Sequence, residues 1–230
     1  MPFSDLRERV AEIRERMARA VARGGHGQEV CIVAVTKTFG PDAVRAAWDA
    51  GIADIGENKV QEALGKQAAV HDVTDPPIRW HLIGHLQRNK VKALDRFQLF
   101  HALDSARLAD AVHAWAAPRN AKVRVLVQMN VAGEETKGGF APSDIESEAA
   151  RLRALAGIEV AGVMTMAPFD APERVLRETF AGARVARETL AAAGHPASDL
   201  SMGMSGDFEI AVEEGATIVR LGTALFGGRG

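Results

Sequence analysis

Apolar positions along the chain follow two alternating patterns, one typical of buried strands and the other typical of amphipathic helices. Short apolar runs rich in β-branched residues, of which residues 30–36 are the clearest, are typical of strands in a parallel sheet. Eight segments of this kind are spread over the whole sequence. The predicted strands are 30–37, 53–56, 79–84, 98–103, 123–131, 158–166, 200–204 and 217–221.

Between these runs, apolar residues recur at three- and four-residue steps, which is the spacing of one helix face. The predicted helices are 4–22 (capped by Ser4), 42–50, 60–70, 88–94, 106–116, 143–155, 172–193 and 208–214. Strands that alternate with helices predict right-handed βαβ units and a parallel sheet. Eight units in 230 residues favour a closed (β/α)8 TIM-type barrel with an extra N-terminal helix, and a doubly wound open sheet is the alternative.

No linker, low-complexity tract or repeat divides the sequence, so we predict one domain over residues 1–230. The formal net charge is −2, which offers no basic surface to nucleic acid or to an anionic membrane. The single cysteine, Cys31, indicates a reducing compartment. Because the N-terminus lacks a secretory signal and no apolar stretch reaches the ~20 residues of a membrane span, we predict a cytoplasmic protein.

The first predicted helix interleaves arginines with glutamates. This pattern predicts ion pairs between residues four apart on an exposed helix face.

Lys37 places an amine at the end of the first predicted strand. A buried strand normally stops before a charge, because a buried ammonium is costly unless it is paired or loses its proton. An amine held at this position suits nucleophilic, Schiff-base-forming chemistry. The alternative is a lysine at the strand mouth with its head group in water.

Two glycine-containing loops follow the last two predicted strands. Ser205 and Gly206 come after the seventh strand, and Gly222 and Thr223 come after the eighth. In (β/α)8 barrels the loops after strands seven and eight often bind a phosphate group. Glycine allows close backbone approach, the hydroxyl groups add donors, and a helix that begins beyond Ser205 points free N–H groups at an anion. Together the two loops predict a phosphate site.

Arg220 lies within the eighth predicted strand. Its neighbours Val219 and Leu221 share the opposite, apolar face, which sends Arg220 into the barrel. A buried arginine needs a partner. That partner is either a ligand or an acidic residue near a strand end, such as Glu57 or Asp207.

An amine, a phosphate cradle and an arginine at one barrel mouth suit a phosphorylated aldehyde. Pyridoxal 5′-phosphate (PLP) fits each part, with its aldehyde on Lys37, its phosphate at the two loops and its ring nitrogen at Arg220.

Further motifs occur in a fixed order along nearly the whole chain. They are AVTK at 34–37, GEN at 56–58, WHLIG at 80–84, NVAGE at 130–134 followed by Lys137, GVMTM at 162–166, GMSGDF at 203–208 and VRLGTALFG at 219–227. On these motifs the chain resembles the pyridoxal phosphate homeostasis protein family, whose members are single-domain barrels similar to the N-terminal domain of bacterial alanine racemase.

The resemblance implies cofactor-binding roles for particular residues. Lys37 would carry PLP as an internal aldimine, Arg220 would meet the pyridine nitrogen, and Asn58 would contact the cofactor. The residues implied to hold the phosphate are Ser205, Gly206, Gly222 and Thr223. Two positions depart from the family pattern, since Lys59 stands in place of the usual tyrosine and His85 in place of the usual proline.

The residues favour a binding protein over an enzyme. The racemases that the chain resembles use a lysine and a tyrosine on opposite faces of the cofactor, and this chain contains no tyrosine. An arginine at the ring nitrogen keeps that nitrogen unprotonated, because two cations in contact repel. The ring is then a weaker electron sink. We therefore predict a PLP-binding protein of intracellular PLP homeostasis, which buffers or delivers the cofactor and has no catalytic residue of its own.

Two other functions stay open at this point. One is a PLP-dependent racemase-like enzyme, for which His81, His85 or Lys59 would supply a base near the ring. The other is a barrel enzyme for a phosphate ester, in which Lys37 contributes only its charge. No cysteine or carboxylate cluster joins His81 and His85, so no metal site is predicted. The predicted partners are PLP and PLP-dependent apo-enzymes, and the chain is predicted to be a monomer or to associate weakly.

Overall fold

The computed structural model describes residues 3–72, 75–134 and 138–228. The strands in this part of the chain are β1 (Cys31–Val35), β2 (Asp54–Glu57), β3 (Arg79–Leu82), β4 (Leu99–Leu103), β5 (Val123–Gln128), β6 (Ile158–Met164), β7 (Asp199–Ser201) and β8 (Ile218–Leu221). Each strand is parallel to its neighbours, and β1 pairs with β8 to close the barrel. The predicted barrel is confirmed, and this closure excludes the open sheet.

Helices follow the strands in the predicted order. The α-helices of the described residues are α1 (Leu6–Gly24), α2 (Pro41–Asp49), α3 (Val60–Ala69), α4 (Ala106–Ala116), α5 (Ile145–Arg153), α6 (Glu173–Ala192), α7 (Phe208–Glu213) and α8 (Thr223–Phe226). The connection from β3 to β4 differs from the prediction, because Arg88–Arg96 forms a 3-10 helix. Within the described ranges, no helix has the length and apolar character needed to cross a membrane.

The strands are buried on both faces, which explains their nearly continuous apolar sequences. All five residues of β4 and five of the six residues of β5 are buried. The large side chains of Phe100, Phe180 and Phe208 are buried almost completely in the same core.

The first strand is shorter than predicted at its C-terminal end. β1 ends at Val35, and the next residues form a turn closed by a hydrogen bond from Phe39 N–H to Thr36 O (3.0 Å). Lys37 therefore lies in a turn beyond the strand, where its side chain is half-buried.

The extra N-terminal helix α1 packs over the two short helices α7 and α8. Arg9 Nη1 donates to Leu225 O at 3.0 Å, and Arg16 and Arg23 form ion pairs with Glu209 and Glu213 at 2.9 and 2.5 Å. These two arginines reach α7 and do not pair within their own helix, whereas Arg19 and Glu15 form a pair of the predicted kind, four residues apart at 3.6 Å. The helix thereby holds both elements that follow the C-terminal loops.

Candidate functional site

The turn that carries Lys37 lies directly beside the loop after β8. Val35, the last residue of β1, is so close to Gly222 that a Cβ on this glycine would lie 3.6 Å from Val35 Cβ. The rings of Phe39 and Phe226 are in contact, with their centroids 5.2 Å apart. Pairing of β1 with β8 thus brings Lys37 and the C-terminal loops to one end of the barrel.

The loops after β7 and β8 are joined by a hydrogen bond from Ala224 N–H to Ser205 Oγ (3.0 Å). In the described part of the chain, the N–H groups of Ser205, Gly206 and Thr223 donate no hydrogen bond. A Cβ on Gly206 would meet no atom within 4 Å. The loops therefore present unused donors around open space, which is the arrangement that an anion requires.

Arg220 lies inside the barrel, as predicted, and only 5% of its surface is exposed. Nη1 donates to Ser201 O and Ser201 Oγ, both at 2.7 Å, and Nη2 donates to Thr165 O at 3.0 Å. Burial lowers the pKa of Arg220 to about 10, while the nearby Asp207 opposes this shift.

The two acidic partners considered for Arg220 do not pair with it. Among the described residues no carboxylate oxygen lies within ion-pair distance of the guanidinium, and Glu57 pairs instead with Lys66. Arg220 is thus a buried cation whose hydrogen bonds, among the described residues, go to neutral oxygens.

Arg220 is also the first member of a hydrogen-bonded network across the barrel, here called the interior network. Ser201 Oγ lies 2.7 Å from Arg220 Nη1 and 2.9 Å from His101 Nδ1. His101 Nε2 lies 2.9 Å from His81 Nδ1, and His81 Nε2 lies 3.0 Å from Asp54 Oδ1. Five strands contribute one residue each.

One assignment of donors satisfies every contact of the interior network. His81 Nε2 donates to the Asp54 carboxylate, so His81 Nδ1 accepts from His101 Nε2. His101 Nδ1 then accepts the hydroxyl proton of Ser201, whose oxygen accepts from Arg220. Both imidazoles are neutral in this assignment. Burial lowers the pKa of His101 well below its usual range, which agrees with it.

Asp54 ends the interior network at the opposite end of the barrel. Arg79 Nε donates to Asp54 Oδ1 at 2.7 Å. Although burial acts in the other direction, hydrogen bonds from His81 and Arg79 hold the pKa of Asp54 well below its usual range. The carboxylate is therefore a fixed acceptor for the network.

Asn58 follows β2 at the same end of the barrel as Lys37. A Cβ on Gly84 would lie 2.4 Å from Asn58 O, so only glycine lets the loop after β3 pack against this backbone. Lys59 and His85, the two departures from the family pattern, are both exposed. His85 Nδ1 lies 2.6 Å from Asp104 Oδ2.

The structure separates His81 from His85, since His81 lies in the interior network. No group of potential metal ligands occurs within residues 3–72, 75–134 and 138–228. Lys137, which belongs to one of the sequence motifs, lies outside these residues.

A family model described as "Alanine racemase, N-terminal domain" matches residues 9–230. A pyridoxal phosphate homeostasis protein of Aquifex aeolicus is 42% identical over 226 residues, which cover 96% of this chain and 97% of that protein. The chain belongs to the pyridoxal phosphate homeostasis protein family.

PipY and an alanine racemase are among the solved structures that resemble this member of the homeostasis family. PipY of Synechococcus elongatus PCC7942, solved with PLP bound, has a TM-score of 0.83 and 35% identity, with coverage of 96% of this chain and 100% of PipY. Alanine racemase of Corynebacterium glutamicum has a TM-score of 0.70 at 17% identity and is covered over 61% of its length. The likeness to the racemase is one of fold alone.

Some polar residues of this homeostasis-family chain have no sequence signal that points to their role. His101 and Ser201 sit inside strands, where a single polar residue is ordinary, and their partners come from distant strands. Only the barrel closure brings them to Arg220.

Proposed function

We propose that this chain binds PLP through Lys37 and acts in intracellular PLP homeostasis, holding the cofactor and handing it on. The observation that carries the proposal is the meeting of three groups at one barrel mouth. These are the Lys37 turn, two loops with unused N–H donors and a buried arginine without a carboxylate partner. The named PLP homeostasis relatives and the PLP-bound PipY support the same function.

The residues present fit the chemical groups of PLP. The Lys37 amine would condense with the aldehyde, so that a C=N bond forms and one water molecule leaves. The open loops would bind the phosphate through Ser205, Gly206, Gly222 and Thr223. Arg220 would donate to the ring nitrogen, and Asn58 would contact the ring from the loop after β2.

When bound, PLP supplies an aldehyde and an electron-withdrawing ring. Arg220 would limit the electron-withdrawing power of the ring, because a guanidinium donor at the ring nitrogen opposes protonation of that nitrogen. The chain also contains no tyrosine to act as a base. These features favour a carrier over a racemase-like enzyme. We extend the proposal to a cytoplasmic monomer whose partners are PLP-dependent apo-enzymes.

The first experiment is the visible absorption spectrum of the protein with PLP, before and after borohydride. We expect an absorption band that reduction fixes, with the added mass on the peptide that contains Lys37. Lys37→Ala should lack both signals, because it removes the amine that would condense with the aldehyde. Lys59→Ala, which removes an exposed lysine of the next loop, is the matched control and should keep them.

Assays of racemisation and decarboxylation on the loaded protein separate carrier from enzyme, and we expect no turnover above that of free PLP. A wild-type protein that stays colourless with PLP contradicts the proposal. Binding of inorganic phosphate by such a colourless protein would favour the phosphate-ester enzyme.

A further inference from the structure

The turn that carries Lys37 has a strained backbone. Thr38 has a φ of +71°, a region that β-branched residues rarely adopt. The turn is closed by the hydrogen bond from Phe39 N–H to Thr36 O at 3.0 Å. A turn of this kind persists only where surrounding contacts hold it.

Those contacts come from Glu57, Glu62 and Lys66, here called the Lys66 clamp. Lys66 lies on α3, and only 6% of its side chain is exposed. Its Nζ donates to Thr36 O at 2.7 Å, to Glu57 Oε1 at 2.6 Å and to Glu62 Oε1 at 3.2 Å. An ammonium has three N–H groups, and all three are used. Lys66 is therefore unsuited to react as a second amine.

The clamp forms hydrogen bonds with the residues on both sides of Lys37. Thr36 donates its hydroxyl to Glu57 Oε1 at 2.5 Å, and Thr38 N–H donates to Glu62 Oε1 at 2.7 Å. Both neighbours of Lys37 are thus bonded to carboxylates that Lys66 holds in place.

The clamp is maintained at a cost to stability. Glu57 is fully buried, and its Oε2 has no hydrogen-bond partner in the described part of the chain. Burial raises the pKa of Glu57, although Lys66 and Thr36 oppose this shift by hydrogen bonding. An unsatisfied buried oxygen is unusual in a core that exists only for stability, and strained, costly features concentrate at functional sites.

We propose that Lys66, acting through Glu57 and Glu62, is the positioning residue for Lys37. The clamp holds the strained turn in the conformation that presents the amine to the cofactor. This inference rests on the proposed function, because it assigns Lys66 a role in forming the adduct on Lys37.

Glu62→Ala is the primary test, because the partly exposed Glu62 can be removed without leaving a buried charge. It frees Thr38 N–H, the contact that holds the strained residue. We expect hydrogen exchange of residues 36–39 to accelerate in PLP-free protein. We also expect adduct formation with PLP to slow about tenfold, the equivalent of one hydrogen bond to a charged group. Lys92→Met, a change at an exposed lysine, is the matched control and should alter neither rate.

Thr38→Gly provides a readout that a merely structural role would not move. Glycine adopts a φ of +71° without strain, so Thr38→Gly added to Glu62→Ala should restore the rate of adduct formation to within about threefold of wild type, most of the tenfold loss. Far-UV circular dichroism should show all these variants to be folded. Lys66→Met should accelerate exchange of the same turn, with lower overall stability because Glu57 loses its cation.

Wild-type exchange and wild-type adduct kinetics in Glu62→Ala would overturn the positioning role, while the proposed function would stand. Failure of the glycine rescue would also overturn it. A wild-type chain that forms no adduct with PLP overturns the proposed function itself, even where the exchange data show that the clamp holds the turn.

Discussion

Cys31 begins β1 and its thiol lies beside the Asp54 carboxylate. Burial raises the pKa of Cys31 to about 12, and Asp54 adds to the shift by repelling a thiolate. Since the thiolate is the reactive form, a pKa near 12 leaves about one thiol in 10⁴ ionised at pH 8. The thiol of the single cysteine is therefore unreactive in the folded state.

We expect Cys31 to resist alkylation by iodoacetamide at pH 8 in native protein and to react rapidly in guanidinium chloride. Mass spectrometry of samples taken over time would give both rates. Native labelling as fast as denatured labelling would mean that the thiol is neither buried nor repelled by Asp54.

Among individual residues, functional roles could be predicted from the sequence for the ones whose chemistry is unusual for their position. Lys37 and Arg220 stand out because a charge interrupts an apolar strand pattern. Lys66 does not stand out, because a lysine on an amphipathic helix is ordinarily exposed. Glu62 lies four residues earlier on the same helix, but Glu57 and Thr36 O reach Lys66 only in the folded barrel.

At the scale of elements, five strands cooperate to hold one guanidinium. The interior network orients all its donors from Arg220 on β8 towards Asp54 on β2, with His101 neutral. Protonation of His101 would give Nδ1 a proton that faces the Ser201 hydroxyl, and Ser201 would then have to turn its own proton elsewhere. The folded protein therefore resists protonation of His101, and acid acts on this residue through the unfolded state, in which the imidazole binds a proton freely.

We expect the free energy of unfolding to fall as the pH drops below about 6.5. The pKa of His101 is lowered in the folded state. The unfolded state therefore binds a proton at pH values where the folded state does not. The stability that this group contributes is present above its unfolded pKa and is lost on acidification. Between pH 7.5 and 5.5 the loss from one such group is about 1.4 kcal/mol.

Denaturant unfolding at these two pH values should show that loss to be absent in His101→Gln. His71→Gln, at an exposed histidine, should keep the pH dependence of the wild type. An identical pH dependence in His101→Gln and wild type would contradict a buried, neutral His101.

Strand and helix order was predictable because each element has its own hydrophobic period. The ends of the strands were less predictable. The predicted first strand ran to Lys37, whereas β1 ends at Val35. The turn there is set by the Lys66 clamp and by Thr38, and these contacts have no local sequence signature. The interior position of Arg220 was predictable from alternation alone, but its neutral partners were not.

At the scale of the whole molecule, arginines on both sides hold the acidic helix α7. Glu213 pairs with Arg23 of α1 at 2.5 Å and with Arg177 of α6 at 2.6 Å. Arg177 also pairs with Glu214 at 3.2 Å. These contacts fix α7 behind the loop that contains Ser205 and Gly206, so outer helices far apart in sequence support the candidate phosphate site.

We expect Glu213→Gln to lower the free energy of unfolding by about 1 kcal/mol, because one substitution weakens two half-exposed ion pairs. The effect should shrink in 1 M salt, where charges are screened. Glu178→Gln removes the exposed pair with Arg174 and should leave stability unchanged. Thermal unfolding of both variants at low and high salt measures these differences. Equal effects of the two substitutions would show that the ion pairs of Glu213 stabilise α7 no more than an exposed surface pair does.

Closure of the barrel has a consequence for synthesis on the ribosome. Lys37 follows the first strand and Gly222 follows the last, and the segments that carry them become neighbours only when β8 pairs with β1. A nascent chain that has emerged as far as β7 contains the amine but lacks Arg220 and one of the two candidate phosphate loops. Assembly of the site is therefore among the last events in the making of the protein, and a prematurely terminated chain does not contain it.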